Sequence, residues 1–338
     1  MKFGVGWSPV DKIPEIAKTA QLAEMLGFEY LGLADQRECG ERDAYLALTV
    51  CAMRTATIKL GPCVSDPYSR LPALIARAIA TLDELSGGRG FLVLGAGGSA
   101  FSGLGIERSK PNLRLREAIT VIRKLFLGKK VDFSGQTIKV KGHGLDFPAR
   151  PDLKVYVATR SPKNLELAGE LADGILIATF ATEEQIQWAI NQIEQGAKRA
   201  GRNTSDIELI SWLYTSISNS TSQALENVRP FVLQALCNMA PQLYPTLGIS
   251  DRSLSYIRSL RGFPMSTILS ANSESLSDRE VDRFSLAGTP EDCLRKLEVI
   301  KSVGIDKVWI RPFSAPGSFH GVDGMIELFG RKVLPRVK

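Results

Sequence analysis

Two segments of this chain have proline and glycine residues directly after predicted strands. Because these residues have small or no side chains, they leave the main chain accessible. The first, PCVSDPYSR at 62–70, follows the apolar run at 58–61, and the second, GAGG at 95–98, follows the run at 90–94. Loops of this composition allow a flat or phosphorylated ligand to approach the backbone closely. A tight turn would explain one such loop. Two in consecutive strand-helix units indicate a ligand site.

A third candidate segment, Thr159, Arg160 and Ser161, precedes a predicted helix that starts with Pro162. The free amides at a helix start attract anions, and Arg160 or Lys163 could add positive charge. Ser161 before Pro162 is equally typical of an ordinary N-cap with proline in the first helical turn. The residues alone leave both interpretations open, an anion site or a structural cap.

These candidates all follow strands of one repeated pattern. Short strands that are apolar on both faces alternate with amphipathic helices, which predicts a parallel sheet covered by helices. The predicted strands lie at 3–7, 30–34, 58–63, 90–94, 155–158, 174–178, 207–217 and 307–310. Eight parallel strands, each followed by a helix, predict an α/β fold of the (β/α)8 TIM barrel type. Such a barrel gathers functional residues at the carboxyl ends of its strands.

Two segments interrupt the repeat. Residues 131–147 are typical of a small hairpin with Ser134 and Gly135 at its tip. Residues 239–283 form an insertion before the eighth strand, with a helical pattern at 253–260. An insertion after a barrel strand lies on the active-site face and can act as a lid, although a surface elaboration or a subunit contact is an alternative. Because barrels of this length stay undivided, we predict a single domain over residues 1–338.

The segment at 95–100 also matches the GxGxxA pattern of dinucleotide-binding folds. In that fold the third small residue lies inside the helix that receives the pyrophosphate. Here Gly103, Gly105 and Pro111 delay the next good helix until about Asn112. The doubly wound fold is therefore the weaker prediction.

Composition excludes several classes of protein. The 338 residues contain no apolar run long enough to span a bilayer and no charged-then-apolar leader, so we expect a soluble, cytoplasmic protein. Five cysteines without CxxC spacing, beside only two histidines, indicate neither a metal site nor a disulfide framework. The net charge of +6 is scattered among acidic residues, which favours a small anionic ligand over nucleic acid.

Several longer segments resemble a known family. They are MKFGVGWSP at 1–9, LGPCVSDPYSR at 60–70, TLDELSGGRGFLVLGAGG at 81–98, VYVATRSPKNLELAGELADGILI at 155–177 and FSLAGTPEDCLRKLEVIKSVG at 284–304. Together they resemble the bacterial luciferase-like superfamily of (β/α)8 barrels. The resemblance is closest to its branch of methylenetetrahydromethanopterin reductases, which use the deazaflavin coenzyme F420, and it covers essentially the whole chain.

The resemblance implies a cofactor site on the residues singled out above. The residues that match Cys63 and Val64 form a non-proline cis peptide that bulges against the central ring of the deazaflavin or flavin. The counterpart of Asp35 lines the same cofactor. The cofactor-binding residues predicted for this chain are Cys63, Val64, Ser65, Gly95, Ala96, Gly97, Gly98, Thr159, Arg160 and Ser161.

The chain departs from the family at three positions near the reacting carbons. Related reductases have a glutamate at the position of Gly6, a histidine at that of Gln36 and usually an acidic residue at that of Gly98. Proton transfer needs a titratable group within hydrogen-bond reach, and the usual ones are missing. Asp35 and Gln36 are the candidate catalytic residues, although an aspartate after a buried strand is as often a loop-capping residue. Hydride transfer from a reduced deazaflavin needs mainly positioning and stacking.

Three functions are compatible with these features. The first is an oxidoreductase that exchanges a hydride between coenzyme F420 and a small organic substrate, with a C1-carrying pterin as a candidate that Gly6 weakens. The second is an FMN-dependent luciferase-like monooxygenase. The third is a non-catalytic relative that binds a ligand. The resemblance also implies a homodimer or homotetramer.

Aromatic residues near strand ends could line the substrate pocket together with the insertion. They are Trp7, Tyr68, Trp212 and Phe313. Arg311, at the end of the eighth predicted strand, could meet an anionic group of the substrate or could cap a helix.

Overall fold

A computed structural model describes residues 1–35 and 40–337 of the chain, excluding the side chains of residues 99, 100 and 102. The strands are β1 (Lys2–Trp7), β2 (Tyr30–Leu33), β3 (Lys59–Pro62), β4 (Leu92–Leu94), β5 (Val131–Ser134), β6 (Lys139–His143), β7 (Val155–Thr159), β8 (Gly174–Ala178), β9 (Glu208–Ile217), β10 (Ser285–Gly288) and β11 (Lys307–Pro312). The helices are α1 (Ile13–Leu26), α2 (Ala44–Arg54), α3 (Pro72–Leu85), α4 (Pro111–Phe126), α5 (Pro162–Leu171), α6 (Glu183–Arg199), α7 (Thr221–Cys237), α8 (Asp251–Leu260), α9 (Met265–Leu269), α10 (Asp278–Asp282), α11 (Pro290–Ser302), α12 (Val322–Lys332) and α13 (Leu334–Val337).

Eight of these strands form a ring of parallel neighbours. The order is β1, β2, β3, β4, β7, β8, β9, β11 and back to β1. Each strand that the sequence predicts is present, within two residues of its expected ends. Helices cover the outer face, which explains why the strands are apolar on both sides. The predicted (β/α)8 barrel is confirmed.

The ring closes between β3 and β4 through an irregular stretch. Leu60 pairs with Gly90 and Ser65 pairs with Leu94, so that four residues of one strand (61–64) oppose three of the other (91–93). One extra residue in a ladder is a β-bulge, which turns the strand and re-aims its side chains. The Cys63–Val64 peptide lies in this bulge and is cis, as the resemblance implied.

A strand that the sequence did not predict, β10, extends the sheet beyond the ring. It pairs with Tyr214 to Ile217 of β9, whereas β8 pairs with the preceding part of the same strand as far as Trp212. The chain leaves β8 at Thr179, which has a positive φ of 65°. β10 thus pairs with the part of β9 that β8 no longer contacts. Because β10 is only four residues long and lies next to the insertion, its sequence gives little strand signal.

Aromatic side chains fill the interior of the ring. Tyr30, Phe91, Tyr156 and Trp309 belong to one buried cluster, and the ring centroids of Phe91 and Trp309 are 5.2 Å apart. Gly4 makes room for the indole, because a Cβ at this position would lie 2.7 Å from Trp309. The interior of the ring is thus a packed core and not a pore.

The predicted insertion contains α8, α9 and α10, and α8 confirms the helical pattern at 253–260. Glu280 of α10 holds its parts together. Its carboxylate accepts hydrogen bonds from the Ser250 amide at 2.8 Å, the Ser277 amide at 2.7 Å and the Ser253 hydroxyl at 3.1 Å. Burial alone would raise the pKa of Glu280, but these hydrogen bonds outweigh it and lower the pKa to about 2.

The predicted hairpin is present as the antiparallel pair β5 and β6, and Ser134 ends the first strand at the predicted tip. Residues after the glycine segment form a 3₁₀ turn, Ser99–Leu104, and α4 starts only at Pro111, which excludes the dinucleotide-binding arrangement. None of the helices described is long and apolar enough to cross a membrane.

Candidate active site

A cavity of about 560 Å³ opens at the carboxyl ends of the barrel strands. Its size is typical of sites for small ligands and cofactors. Except for Gln36 and Ser65, the residues predicted for catalysis or cofactor binding line it, namely Asp35, Cys63, Val64, Gly95, Ala96, Gly97, Gly98, Thr159, Arg160 and Ser161. Gln36 lies outside the described residues. Ser65 is fully buried behind the cavity wall.

The bulge at the end of β3 forms one wall. A Cβ on Gly95 would lie 2.9 Å from Cγ2 of Val64, and a Cβ on Gly32 would lie 2.5 Å from Cβ of Cys63. The two glycines therefore allow the bulge to fit between its neighbours. Burial raises the pKa of the Cys63 thiol to about 12, although the positive charge of Arg311 opposes this effect. Cys63 is thus a neutral thiol and contributes shape instead of nucleophilic chemistry.

Asp35 is held in a network of polar contacts at the end of β2. It is buried, and its carboxylate accepts hydrogen bonds from the Ser65 hydroxyl at 2.8 Å and from Nε of Arg70 at 3.0 Å. Arg70 also contacts Asp43, the N-cap residue of α2. An arginine partner stabilises the ionised form of a carboxylate. The geometry is that of a fixed anion, which also explains the position of Ser65.

The glycine segment after β4 presents main chain to the cavity. A Cβ on Gly98 would have no atom within 4 Å, whereas one on Gly97, with φ of 77°, would overlap the Phe101 ring. The carbonyl of Ala96 accepts a hydrogen bond from Nε of Arg108 at 2.8 Å. Arg108 thus brings a guanidinium to the cavity rim, which the sequence interpretation had missed.

At the end of β7, Ser161 is the N-cap residue of α5, but its side chain makes no capping hydrogen bond. Its amide donates instead to Oγ1 of Thr159 at 3.0 Å. The hydroxyl of Ser161 is therefore not used to cap the helix, and it borders the cavity. Burial lowers the pKa of the neighbouring Arg160 guanidinium; Tyr214 opposes this effect and the positive charge of Arg311 adds to it. A bound anion would offset both the loss of hydration on burial and the repulsion from Arg311, and so would stabilise the charged form of Arg160.

Arg311, at the end of β11, also lines the cavity and is buried. Its Nη2 donates to the Ser8 hydroxyl at 3.3 Å. Its guanidinium carbon lies 5.7 Å from the ring centroids of Tyr214 and Phe313 and 5.9 Å from that of Trp212. Among the described residues this hydrogen bond is to the loop after β1 and not to a helix end, so it gives no support to the alternative role as a helix cap.

The candidate substrate residues divide between cavity and core. Trp212 lines the cavity, but Trp7 is buried outside the lining, and Phe313 stacks on Phe231 with ring centroids 3.6 Å apart. Tyr68 lies behind the glycine segment, where its ring is 5.3 Å from that of Phe101. Of these aromatic residues, only Trp212 is a direct candidate for substrate contact.

Several lining residues could not be identified from the sequence. Gln234 and Asn238 come from α7 and from the residue that caps it, and residues 262–264 come from the loop between α8 and α9. Asn164 comes from the first turn of α5, where its Oδ1 accepts a hydrogen bond from Nδ2 of Asn112 at 2.9 Å. Helix residues with no motif give no sequence signal, and the packing of α7 against β9 and β10 brings them to the cavity. Residues 1–35 and 40–337 contain no cluster of side chains suited to a metal ion.

Comparison with known proteins gives the same architecture and a specific set of relatives. The chain is 32% identical to 5,10-methylenetetrahydromethanopterin reductase of Archaeoglobus fulgidus, with all of both chains covered. It is 27% identical to an F420-dependent glucose-6-phosphate dehydrogenase of Mycolicibacterium fortuitum, over 96% of this chain and 94% of the relative. The structure of coenzyme F420-dependent tetrahydromethanopterin reductase from Methanopyrus kandleri superposes with a TM-score of 0.85 at 27% identity, covering 100% of this chain and 99% of that one.

These matches agree with the barrel fold described above. The family model described as luciferase-like monooxygenase matches residues 3–307, which is most of the chain. The protein therefore belongs to the luciferase-like monooxygenase family.

Proposed function

We propose that this protein is an oxidoreductase that exchanges a hydride between coenzyme F420 and a small organic substrate. The observation that carries the proposal is that the bulge at Val64 and the bare main chain of 95–98 lie side by side and both line one cavity. The relatives named above, a reductase and two F420-dependent enzymes, support the same chemistry.

The residues around the cavity fit a planar ring with a phosphate-bearing tail. A Cβ on Gly98 would meet no atom within 4 Å, so there is open space beside this main chain for a flat ring. Ser161 and Arg160 at the start of α5 supply a hydroxyl and a positive charge for a phosphate group. Of the interpretations that the sequence left open for Ser161, the anion site is favoured because its hydroxyl makes no cap.

When bound, the deazaflavin would supply a hydride, which is two electrons together with one proton. The protein's part is to position the reacting groups, which is a large contribution to rate when geometry is well held. Asp35, fixed by Arg70 and Ser65, keeps the end of β2 and the bulge of β3 in register beside the ring. We assign Asp35 a positioning role, because its carboxylate is stabilised as an anion and is a poor proton donor. Gln36 stays a candidate catalytic residue.

A C1-carrying pterin is one candidate substrate, supported by the name of the reductase from Archaeoglobus fulgidus. Gly6 argues against it, because the resemblance places a glutamate there, and a Cβ at this position would lie 3.2 Å from the carbonyl oxygen of Gly32. The description of the family favours a second candidate function, an FMN-dependent monooxygenase.

The location of the protein in the cytoplasm and its assembly into a homodimer or homotetramer remain predictions from the sequence.

Titration of the purified protein with F420 and with FMN, followed by the change in cofactor fluorescence, tests the proposal. We expect saturable binding of F420 and at least tenfold weaker binding of FMN. In the Gly95→Ala variant, the new Cβ forces Val64 to move, so F420 affinity should fall about tenfold. Gly324→Ala is the matched control, because Gly324 is an exposed residue of α12 and no atom lies near the new Cβ.

Tight binding of FMN with no F420 binding would establish the second candidate instead. Binding of neither cofactor would leave a ligand-binding relative without redox chemistry. Equal F420 affinity in Gly95→Ala and the wild type would mean that the ring binds elsewhere.

A further inference from the structure

Arg311 is a buried cation whose charge no other described residue balances. The ion pairs within residues 1–35 and 40–337 include none to Arg311, and its one hydrogen bond there is the 3.3 Å contact to the neutral Ser8 hydroxyl. A guanidinium has five N–H donors, and buried charges are normally paired. Most of these donors therefore have no acceptor among the residues that the structure describes.

The aromatic residues around Arg311 do not replace that acceptor. Trp212, Tyr214, Phe313 and Phe319 have ring centroids 5.7–5.9 Å from the guanidinium carbon. Cation–π contacts stabilise the face of the cation, whereas N–H donors in its plane still need oxygen atoms. The four rings surround the guanidinium and restrict its orientation. This arrangement suits selective binding of an anion.

Arg160 is a second cation at the same cavity, and it adds to the positive charge that a bound anion would balance. The positive charge of Arg311 acts on Arg160, and Tyr214 interacts with both guanidinium groups. Asp35 does not supply the balance, because it is already engaged by Arg70 and Ser65. Two like charges that share a cavity wall repel each other. An anion between or beside them offsets this repulsion.

We propose that Arg311 binds a carboxylate of the substrate and so restricts the enzyme to small organic acids. This inference rests on the proposed function, since the hydride acceptor or donor is the same molecule. Arg160 lies closer to the start of α5, where we place the phosphate of the cofactor. Arg311 lies between the loop after β1, which carries Ser8, and the bulge that carries Cys63, on whose thiol its charge acts. A carboxylate at Arg311 would thus hold the rest of the substrate beside the ring.

The test uses acetate as the probe for a carboxylate, acetamide as its neutral isostere and inorganic phosphate as the competing oxyanion. Each is titrated into the protein with and without saturating F420, and the shift in unfolding temperature gives an apparent affinity. We expect acetate to bind at least tenfold more tightly than acetamide and more tightly than phosphate. In Arg311→Gln, acetate affinity should fall at least tenfold, and in Arg311→Lys, which loses the planar fork, it should fall less. F420 affinity should change less than twofold in both variants.

Arg331→Gln is the matched control, because it removes the same charge from an exposed position on α12. Unchanged F420 binding in the Arg311 variants also proves that they are folded. Equal affinity for acetate and acetamide, or acetate binding that persists in Arg311→Gln, would overturn the proposal. Preference for phosphate over acetate would also overturn it, since the substrate would then be a phosphate ester.

The two proposals fail in different ways. F420 binding without selective acetate binding would leave the proposed function standing and remove the carboxylate site. Selective, Arg311-dependent acetate binding in a protein that does not bind F420 would retain the site and remove the cofactor.

Discussion

The guanidinium of Arg70 holds the carboxylate of Asp35 at two points, with Nε 3.0 Å from Oδ2 and Nη2 3.3 Å from Oδ1. The Asp35 side chain is only 2% exposed, whereas Arg70 is 27% exposed and also contacts Asp43. Asp35 follows β2, Arg70 precedes α3 and Ser65 lies beyond the bulge of β3. The pair therefore ties two consecutive strand ends together at the cavity.

This asymmetry predicts unequal effects of removing either partner. In Arg70→Met, the buried Asp35 loses its cationic partner, and we expect the free energy of unfolding to fall by about 3 kcal/mol. In Asp35→Asn, Arg70 keeps Asp43 and its exposure to water, so the loss should be about 1–2 kcal/mol. Urea unfolding measures both, with Arg77→Met on the exposed face of α3 as the control. A larger loss for Asp35→Asn than for Arg70→Met would contradict this account of the pair.

The residue pattern predicted much of this architecture because the barrel repeats one signal. Alternation of apolar strands with amphipathic helices is local in sequence, so strand positions could be found to within two residues. β10 was missed because its four residues give little strand signal, and its position depends on β8 leaving the edge of β9 at Thr179. That event is tertiary and leaves no local pattern.

The site was predictable to the extent that it consists of strand ends. Asp35, Val64 and Gly95 follow strands directly, and the barrel rule brings such residues together. Gln234 and Asn238 reach the cavity from α7, where polar residues usually face solvent. The engagement of Asp35 by Arg70 could not be predicted, because an ion pair between residues 35 positions apart depends on how the loops pack.

Neighbouring glycines in the segment after β4 should respond oppositely to the same substitution. A side chain at Gly98 enters open space, so Gly98→Glu should change the free energy of unfolding by less than about 1 kcal/mol. At Gly97, φ is positive and a Cβ would overlap Phe101, so Gly97→Glu should cost more than about 2 kcal/mol. Thermal unfolding of both variants, beside the wild type, measures the difference. Equal losses would mean that the segment adapts as a unit.

Gly98→Glu also restores a titratable group where the resemblance places one. A carboxylate at the cavity wall could donate or accept a proton, so the rate of substrate turnover should gain a dependence on pH that the wild type lacks. The matched variant Gly98→Gln supplies the same volume without the titration. The same pH profile in both variants would show that position 98 does not reach the reacting atoms.

The loop between α8 and α9 brings Phe263 to the cavity with 49% of its surface exposed. Its exposure implies little contribution to the folded state, so Phe263→Ala should leave the unfolding temperature within about 2 °C of the wild type. If the insertion acts as a lid, the same change should raise KM for the substrate about threefold to tenfold, because the ring would then cover the bound substrate. Leu127→Ala, equally exposed but distant in the fold after α4, is the control. An unchanged KM would reduce the insertion to a surface elaboration.

Glu280 should make the stability of the insertion depend on pH in the acid range. Its pKa is about 2 in the folded protein and near 4.5 when unfolded, so its contribution is complete above pH 4.5 and declines as the pH falls towards 2. Glu280→Gln removes this titration and weakens the hydrogen bonds from Ser250 and Ser277, with an expected loss of about 1–3 kcal/mol at pH 7.

The difference in free energy of unfolding between the wild type and Glu280→Gln should therefore shrink from pH 5 to pH 3. Urea unfolding at several pH values measures it, and Glu298→Gln, at an exposed position of α11, should show no such change. A gap between the two proteins that stays constant over this range would mean that Glu280 is not held as a carboxylate by the serine cluster. The acid sensitivity of the insertion would then have to come from another group, and the role of Glu280 would be limited to packing.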